Sequence, residues 1–420
     1  MRILFVTEKF PYPLDTGGNV RTFHMLKALS TEHEVTLLAN RPDDLDEQAI
    51  EPVRSICTHI QWIESQPISR LRKIGHLTTC LAARKPLMLE RHGARAAASA
   101  IRQLMSAGAV QHRNDTALCA KPAFDVLHFN HLDAASYEKF VPRGVLRVLD
   151  QHNVVTHQVR TTLSVETRPL HQWALRRESR VLPGVERALC NRMDLCITCS
   201  DIDRESLRSM GVRARIETVP NGVDLDFFSP TPGAPRSLEA VFMGTLDYDP
   251  CDKAVQHFCE NILPKLHRKY PKLRFVAVGR NPSEKLRRRA DQDDRIVITG
   301  RVEDVRPYVR TASVFVVPLL SGSGTRLKVL EALALGTPVV TTSIGVEGIE
   351  AIPDQHLLVA DTADDFAVGV GRVIEDASLA EQLRREGRLL VEQRYGWDAC
   401  RQRLLDHYRD AEAGRQARYG

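Results

Sequence analysis

The opening of the chain limits the fold more than any other stretch. "ILFVTEKF" is an apolar run that ends in the turn residues "PYPLDTGGNV". "RTFHMLKALS" follows with apolar side chains at helical spacing, and "EVTLLAN" is a second apolar run. Strand, turn, helix and strand in that order predict a βαβ unit with parallel strands and a right-handed crossover.

The pattern continues. Further strands are expected at "AFDVLHFN", "VLRVLDQHN", "DLCITCS" and "RIETVPN", with helices between them. After the Pro/Gly-rich break "SPTPGAPRS" it restarts: "LEAVFMG", a helix through "AVQHFCENILPKLHRKY", "LRFVAVG", "RIVITG", a short helix "VRPYVRTA", and "VFVVPL". One architecture used twice in 420 residues reads as an α/β protein of two doubly wound domains, each large enough to bury its own core. The first domain is expected over 1–230 and the second over 236–394. Residues 395–420 are expected as an amphipathic helix packing back on the first domain. Ligands of such sheets bind at the carboxyl ends of the strands, here also in the cleft between the halves.

Composition excludes several classes. A composition of 43% hydrophobic and 26% charged residues is ordinary for a soluble globular protein and argues against pervasive disorder. Nine cysteines in no framework spacing fit a reducing compartment. Cys196 and Cys199 form a lone CxxC inside an apolar run, with no second CxxC or His pair, and read as a buried strand. "MRILFV" is too short for a signal peptide, and no apolar stretch approaches the roughly 20 residues that span a bilayer, so a cytoplasmic location is expected. The net charge of +5 comes with no nucleic-acid motif, and nucleic acid is not an expected partner. Basic residues do concentrate in segments 68–103 and 160–192, the second studded with Leu170, Trp173, Leu175, Val181 and Leu182. These segments either rest peripherally on anionic lipid at the inner face of the membrane or merely solvate helix faces.

"SGSGTRLKVLEALALGTPVV" has the makings of an anion site. Gly322 and Gly324 let the main chain approach an anion, Thr325 leads into a helix, and Arg326 and Lys328 add positive charge. Glu331 lies about two helical turns beyond Ser323. The run lacks the third glycine of the dinucleotide fingerprint and the Gly-Lys-Ser/Thr of the P-loop, so dehydrogenase and triphosphatase readings fall away.

Three stretches together, "VPNGVDLDFFSP", "PLDTGGNVRTFHMLKAL" and "VFVVPLLSGSGTRLKVLEALALGTPVVTT", resemble a bacterial glycosyltransferase of the GT4 family, a retaining group with the GT-B fold. The likeness covers nearly the whole chain, in order. It implies two Rossmann-like domains facing a central cleft, with a nucleotide-diphosphate sugar held mainly by the second. A glycan or lipid-linked acceptor would sit on the first, in envelope or exopolysaccharide-type glycan synthesis. It also implies no cofactor and no metal, although Asp224-Leu-Asp226 and Asp247-Tyr-Asp249 spell a metal-diphosphate signature of the other major glycosyltransferase fold.

By the same resemblance Gly17 and Gly18 lie at the donor phosphates or acceptor, His152 lies near the donor sugar, and Glu331 binds the ribose. Gly300, which closes "RIVITG", and Arg301 after it join the donor-binding set with Gly322, Ser323, Gly324 and Thr325. Two positions depart from the family pattern. Ser323 stands where an acid usually touches the sugar, and Thr245 stands where an Arg usually meets the diphosphate, so Arg326 and Lys328 are expected to carry that charge. Retention is expected by front-face substitution, in which the leaving diphosphate takes the acceptor's proton; no carboxylate pair suited to double displacement recurs. A nucleotide-sugar-binding partner subunit without turnover, or a sugar-nucleotide epimerase, remains the alternative.

Overall fold

The computed structural model describes residues 1–42, 47–63, 80, 85–87, 89, 94–106, 123–231, 233, 236–322 and 324–419. Much of the basic segment 68–103, and Ser323, lie outside the described residues. The chain forms two compact units, Met1–Val219 with Arg401–Gly420, and Pro220–Cys400.

The first unit holds a parallel sheet of seven strands: β1 (Arg2–Val6), β2 (Glu34–Asn40), β3 (His59–Ile63), β4 (Val126–Asn130), β5 (Leu146–Gln151), β6 (Leu195–Thr198) and β7 (Arg215–Thr218). Their order is β3-β2-β1-β4-β5-β6-β7. The second unit holds six strands: β8 (Ser237–Met243), β9 (Arg274–Val278), β10 (Ile296–Gly300), β11 (Ala312–Val317), β12 (Val339–Thr341) and β13 (Leu358–Val359), in the order β10-β9-β8-β11-β12-β13. Helices cover both faces of such sheets, so central strands such as "RILFV" and "ASVFVV" are nearly continuous apolar runs buried along their length. In each sheet the strand order reverses beside the first strand, at β1/β4 and at β8/β11, which opens a crevice at the carboxyl ends there. The outermost strands β3 and β13 have no counterpart among the expected strands. β3 is an edge strand of mixed polarity, and β13 has only two residues.

The first unit is organised around a charge pair withdrawn from water. Arg21, on the helix Gly17–Leu29, is fully buried, and its guanidinium donates to both carboxylate oxygens of Asp150 on β5 at 2.6–3.2 Å. Its Nη1 donates to the Val219 carbonyl at 2.9 Å. Burial alone would raise the Asp150 pKa, but Arg21 and His152 outweigh it and hold the carboxyl well below the usual range. Beside the pair, Asn130 Nδ2 donates to the hydroxyls of Thr7 and Thr22 at 3.1 Å each. The last helix, Trp397–Tyr419, enters this unit from Arg401 onward. There the buried Tyr408 hydroxyl lies 2.5 Å from Nδ1 of His128, whose ring stacks on Phe5 at 4.2 Å. Burial lowers the His128 pKa to about 4, so this contact is made by a neutral ring.

Arg21→Met leaves Asp150 buried and unpaired and is expected to cost about 3–5 kcal/mol in urea unfolding, whereas Arg21→Met with Asp150→Leu recovers most of the loss. The pair's contribution is present above the unfolded carboxyl value and lost only as pH falls through the lower folded value. In Arg21→Met, burial without the guanidinium raises the Asp150 pKa, so the variant recovers stability as that carboxyl takes up a proton; the difference from wild type should be largest at about pH 8 and shrink toward lower pH.

Candidate active site

In the second unit the expected donor residues lie at the carboxyl ends of the strands around the β8/β11 reversal. Gly244 and Thr245 follow β8, Gly300 ends β10, and residues 319–326 follow β11. Two glycines here are matters of space. A Cβ on Gly279 would fall 1.7 Å from the Gly244 carbonyl oxygen, so the β8 and β9 loops touch through bare backbone. A Cβ on Gly244 would fall 2.6 Å from Nζ of Lys328. The Lys328 ammonium thus lies against the end of β8, 4.3 Å from the centre of the Phe242 ring and 3.2 Å from Cys251 Sγ. Among the described residues no carboxylate pairs with it.

The helix Leu327–Ala334 begins just after the loop, with Arg326 at its N-cap position. Arg326 folds back over its own loop: Nη1 donates to the Gly324 carbonyl at 2.7 Å, and Nη2 lies 3.9 Å from Glu347 Oε2. Glu331 is one turn after Lys328, on the same side of the helix, and is half-buried. Desolvation pushes its carboxyl up to about 7, with Lys328 pulling the other way. Gly279 N–H donates to the Gly300 carbonyl at 3.2 Å, which ties the β9 and β10 loops together. Arg301 next to it is exposed, and Thr245 is half-buried. Three of the four acids in the two D-x-D pairs have partners. Asp224 accepts the N–H groups of Asp226 and Phe227, Asp247 accepts from Asn281 Nδ2, and Asp249 pairs with Lys253.

In the first unit the structure brings Gly17, Gly18 and His152 together at the β1/β4 reversal. The twin glycines open the helix Gly17–Leu29, whose N-cap Thr16 accepts from Asn19 N–H. A Cβ on Gly18 would lie 3.8 Å from Nδ1 of His152. His152 follows β5 with its side chain 8% exposed. Its Nε2 lies 2.9 Å from Asn130 Oδ1 and 3.5 Å from Asp150 Oδ2, both acceptors, so Nε2 carries the proton. Burial lowers the ring's pKa, only partly offset by Asp150, which favours the neutral form. Nδ1 is then a buried acceptor without a hydrogen-bond partner among the described residues, directed at the helix terminus.

Arg21, Asp150, His131 and Glu347 are not among the residues expected from sequence. The His131 ring lies 3.7 Å from that of His152, tilted by 40°, and its N–H donates to the Asp150 carbonyl at 2.9 Å. It holds φ at 76°, a region that costs a residue with a Cβ on the order of 1–3 kcal/mol. A signal for Asp150 was present: Asp150 and His152 alternate at a strand end and so share a side.

Two doubly wound parallel units with a glycine-rich loop, a cation and an acid at the strand reversal of the second match the GT-B fold, and the family models that fit the chain make it a glycosyltransferase. The chain belongs to glycosyltransferase family 4: residues 16–227 match Glycosyltransferase Family 4, and residues 238–376 match Glycosyl transferases group 1. It is 28% identical over 312 residues to phosphatidyl-myo-inositol mannosyltransferase of Mycolicibacterium smegmatis, spanning 72% of this chain and 75% of that one. The Mycobacterium tuberculosis enzyme of the same name is 26% identical over 315 residues, 72% of this chain and 78% of that one. Among solved structures, sucrose-phosphate synthase from Thermosynechococcus elongatus superposes with a TM-score of 0.71 at 18% identity, covering 98% of this chain and 99% of that one. Anabaena HepE in complex with UDP-glucose superposes with a TM-score of 0.67 at 14% identity, covering 98% and 100%. These two show the fold.

Because the folded Glu331 carboxyl holds its proton to about pH 7, the native state binds more protons than the unfolded one between its ordinary value and about 7. Stability should fall across that window as pH rises. Glu331→Gln is expected to remove roughly 2–3 kcal/mol of that decline, read as the change in urea midpoint between about pH 5 and about pH 8.

Proposed function

We propose that this protein transfers a hexosyl residue, with retention, from a nucleotide-diphosphate sugar to a saccharide or lipid-linked acceptor in envelope or exopolysaccharide-type glycan synthesis. It would work on the cytoplasmic side of the membrane. The observation that carries the reading is the Lys328 ammonium set against the Gly244 end of β8 with no carboxylate partner among the described residues. A cation held by a thiol and an aromatic face keeps its charge available for an anion, and a diphosphate leaving group needs that charge most as its bond to the sugar breaks.

The remaining roles follow from the chemistry of each group. N–H groups of the 322–326 loop and Arg326 flank the diphosphate, and Glu331 accepts from the ribose hydroxyls. In the first unit, His152 Nδ1 and the helix terminus at Gly17 and Gly18 receive hydroxyls of the sugar or its acceptor. The leaving diphosphate takes the acceptor's proton in a front-face substitution. The relatives support a lipid-linked acceptor: the mycobacterial enzymes are named for phosphatidyl-myo-inositol, and a further relative is named as GDP-mannose-dependent. HepE binds UDP-glucose.

Nucleotide release from GDP-mannose and UDP-glucose, each with phosphatidylinositol and with soluble saccharides, tests the reading. Wild type should turn over one donor, and Lys328→Ala should lower kcat/KM about 100- to 1,000-fold with the fold retained. Unchanged turnover in Lys328→Ala would remove that residue from the site. Donor affinity in wild type should rise as pH passes through about 7, where Glu331 ionises and accepts two hydroxyls, and should lose that rise in Glu331→Gln.

A further inference from the structure

The turn joining the helices Val155–Val165 and Pro169–Cys190 is built on one buried carboxylate. Glu166 accepts from the N–H groups of Thr167 and Arg168 at 2.9 Å and from the Arg168 guanidinium at 2.8 and 3.0 Å. His171 Nδ1 lies 3.1 Å from it. The turn so fixed displays Leu170 and Trp173, 79% and 56% exposed, one helical turn apart on the same side. Packing does not explain this display, because both side chains point into water.

Charge on the hairpin is sorted as sharply. Its acids over 155–190 are Glu166, Glu178 and Glu186, and all three are buried. Glu178 pairs with Arg177, and Glu186 accepts the N–H groups of Val155 and Thr156. Arg160, Arg168, Arg176, Arg180 and Arg187 are exposed. The outer surface therefore offers cations around two apolar side chains, with no exposed acid.

We propose that this hairpin docks on an anionic lipid bilayer, Leu170 and Trp173 entering the boundary between headgroups and acyl chains while the arginines meet the headgroups. The choice of occupant rests on charge. A second copy of the same face would bring cation to cation, whereas an anionic lipid surface is complementary to the exposed Arg176, Arg180 and Arg187 on the helix that carries Leu170 and Trp173, Arg168 already answering Glu166. The inference deepens the proposed function by placing the protein where a lipid-linked acceptor resides.

The test is cosedimentation of the full chain with vesicles of phosphatidylcholine alone or of equimolar phosphatidylcholine and phosphatidylglycerol. Binding is expected only to the anionic vesicles and should weaken with salt. Leu170→Ser with Trp173→Ser should lower it at least about tenfold, and Arg176→Gln with Arg180→Gln about fivefold per arginine. Nucleotide release with a soluble saccharide acceptor should be unchanged in both variants, which shows that they remain folded. Failure to bind anionic vesicles, equal binding to neutral ones, or undiminished binding by the Leu170/Trp173 variant overturns the proposal. So does a dimer in light scattering that the same variant dissolves, which would make the face an interface between copies. Vesicle binding without nucleotide release from any donor would sink the proposed function and leave the docking surface standing.

Discussion

The pairing of Arg21 with Asp150 sets the terms for the first unit. An ion removed from water must be answered on every side, and here the answers come from separate parts of the chain: the helix after the twin glycines, the end of β5, and the carbonyl of Val219. A pair like this is a poor source of net stability, because desolvation consumes most of the attraction. Its effect is geometric. It fixes the helix Gly17–Leu29 against β5, and with it the height of Gly18 beside His152. Asp150 then serves twice, as counter-ion to Arg21 and as acceptor for the protonated Nε2 of His152, so the tautomer of the histidine is a consequence of the core.

The second unit solves its electrostatic problem from the other side of the sheet reversal. With threonine at 245, the end of β8 supplies no cation of its own. Lys328 reaches the same place from the helix after β11, and Gly244 leaves the space that its ammonium fills. Charge at a site belongs to a position in space, and neighbouring strands of a parallel sheet can exchange the duty of providing it.

The double α/β pattern was open to reading from sequence because buried parallel strands are long apolar runs and their helices keep a 3.6-residue period. The edge strands β3 and β13 were not, since an edge strand is partly solvated and loses that signature. At the candidate site, the glycine-rich loop Gly322–Arg326 was legible as a turn opening a helix, whereas Glu331 was picked out by the resemblance to a known family. Arg21 could not, because a burial partner 129 residues away leaves no local trace and an arginine one turn into a helix ordinarily faces water. His131 was hidden for a related reason. Its positive φ and its ring contact with His152 arise only when β4 and β5 lie side by side.

The last helix bears on how the molecule is made. Tyr408 is synthesised 280 positions after His128, yet it is fully buried in the first unit against that strand residue. The unit that begins at Met1 therefore cannot close its core until residues beyond the second unit have been made. The second unit, Pro220–Cys400, has all its residues in hand sooner. Vectorial synthesis thus supplies the second unit in full before the first, and a nascent chain halted just after Cys400 carries all of the second unit and an incomplete first one.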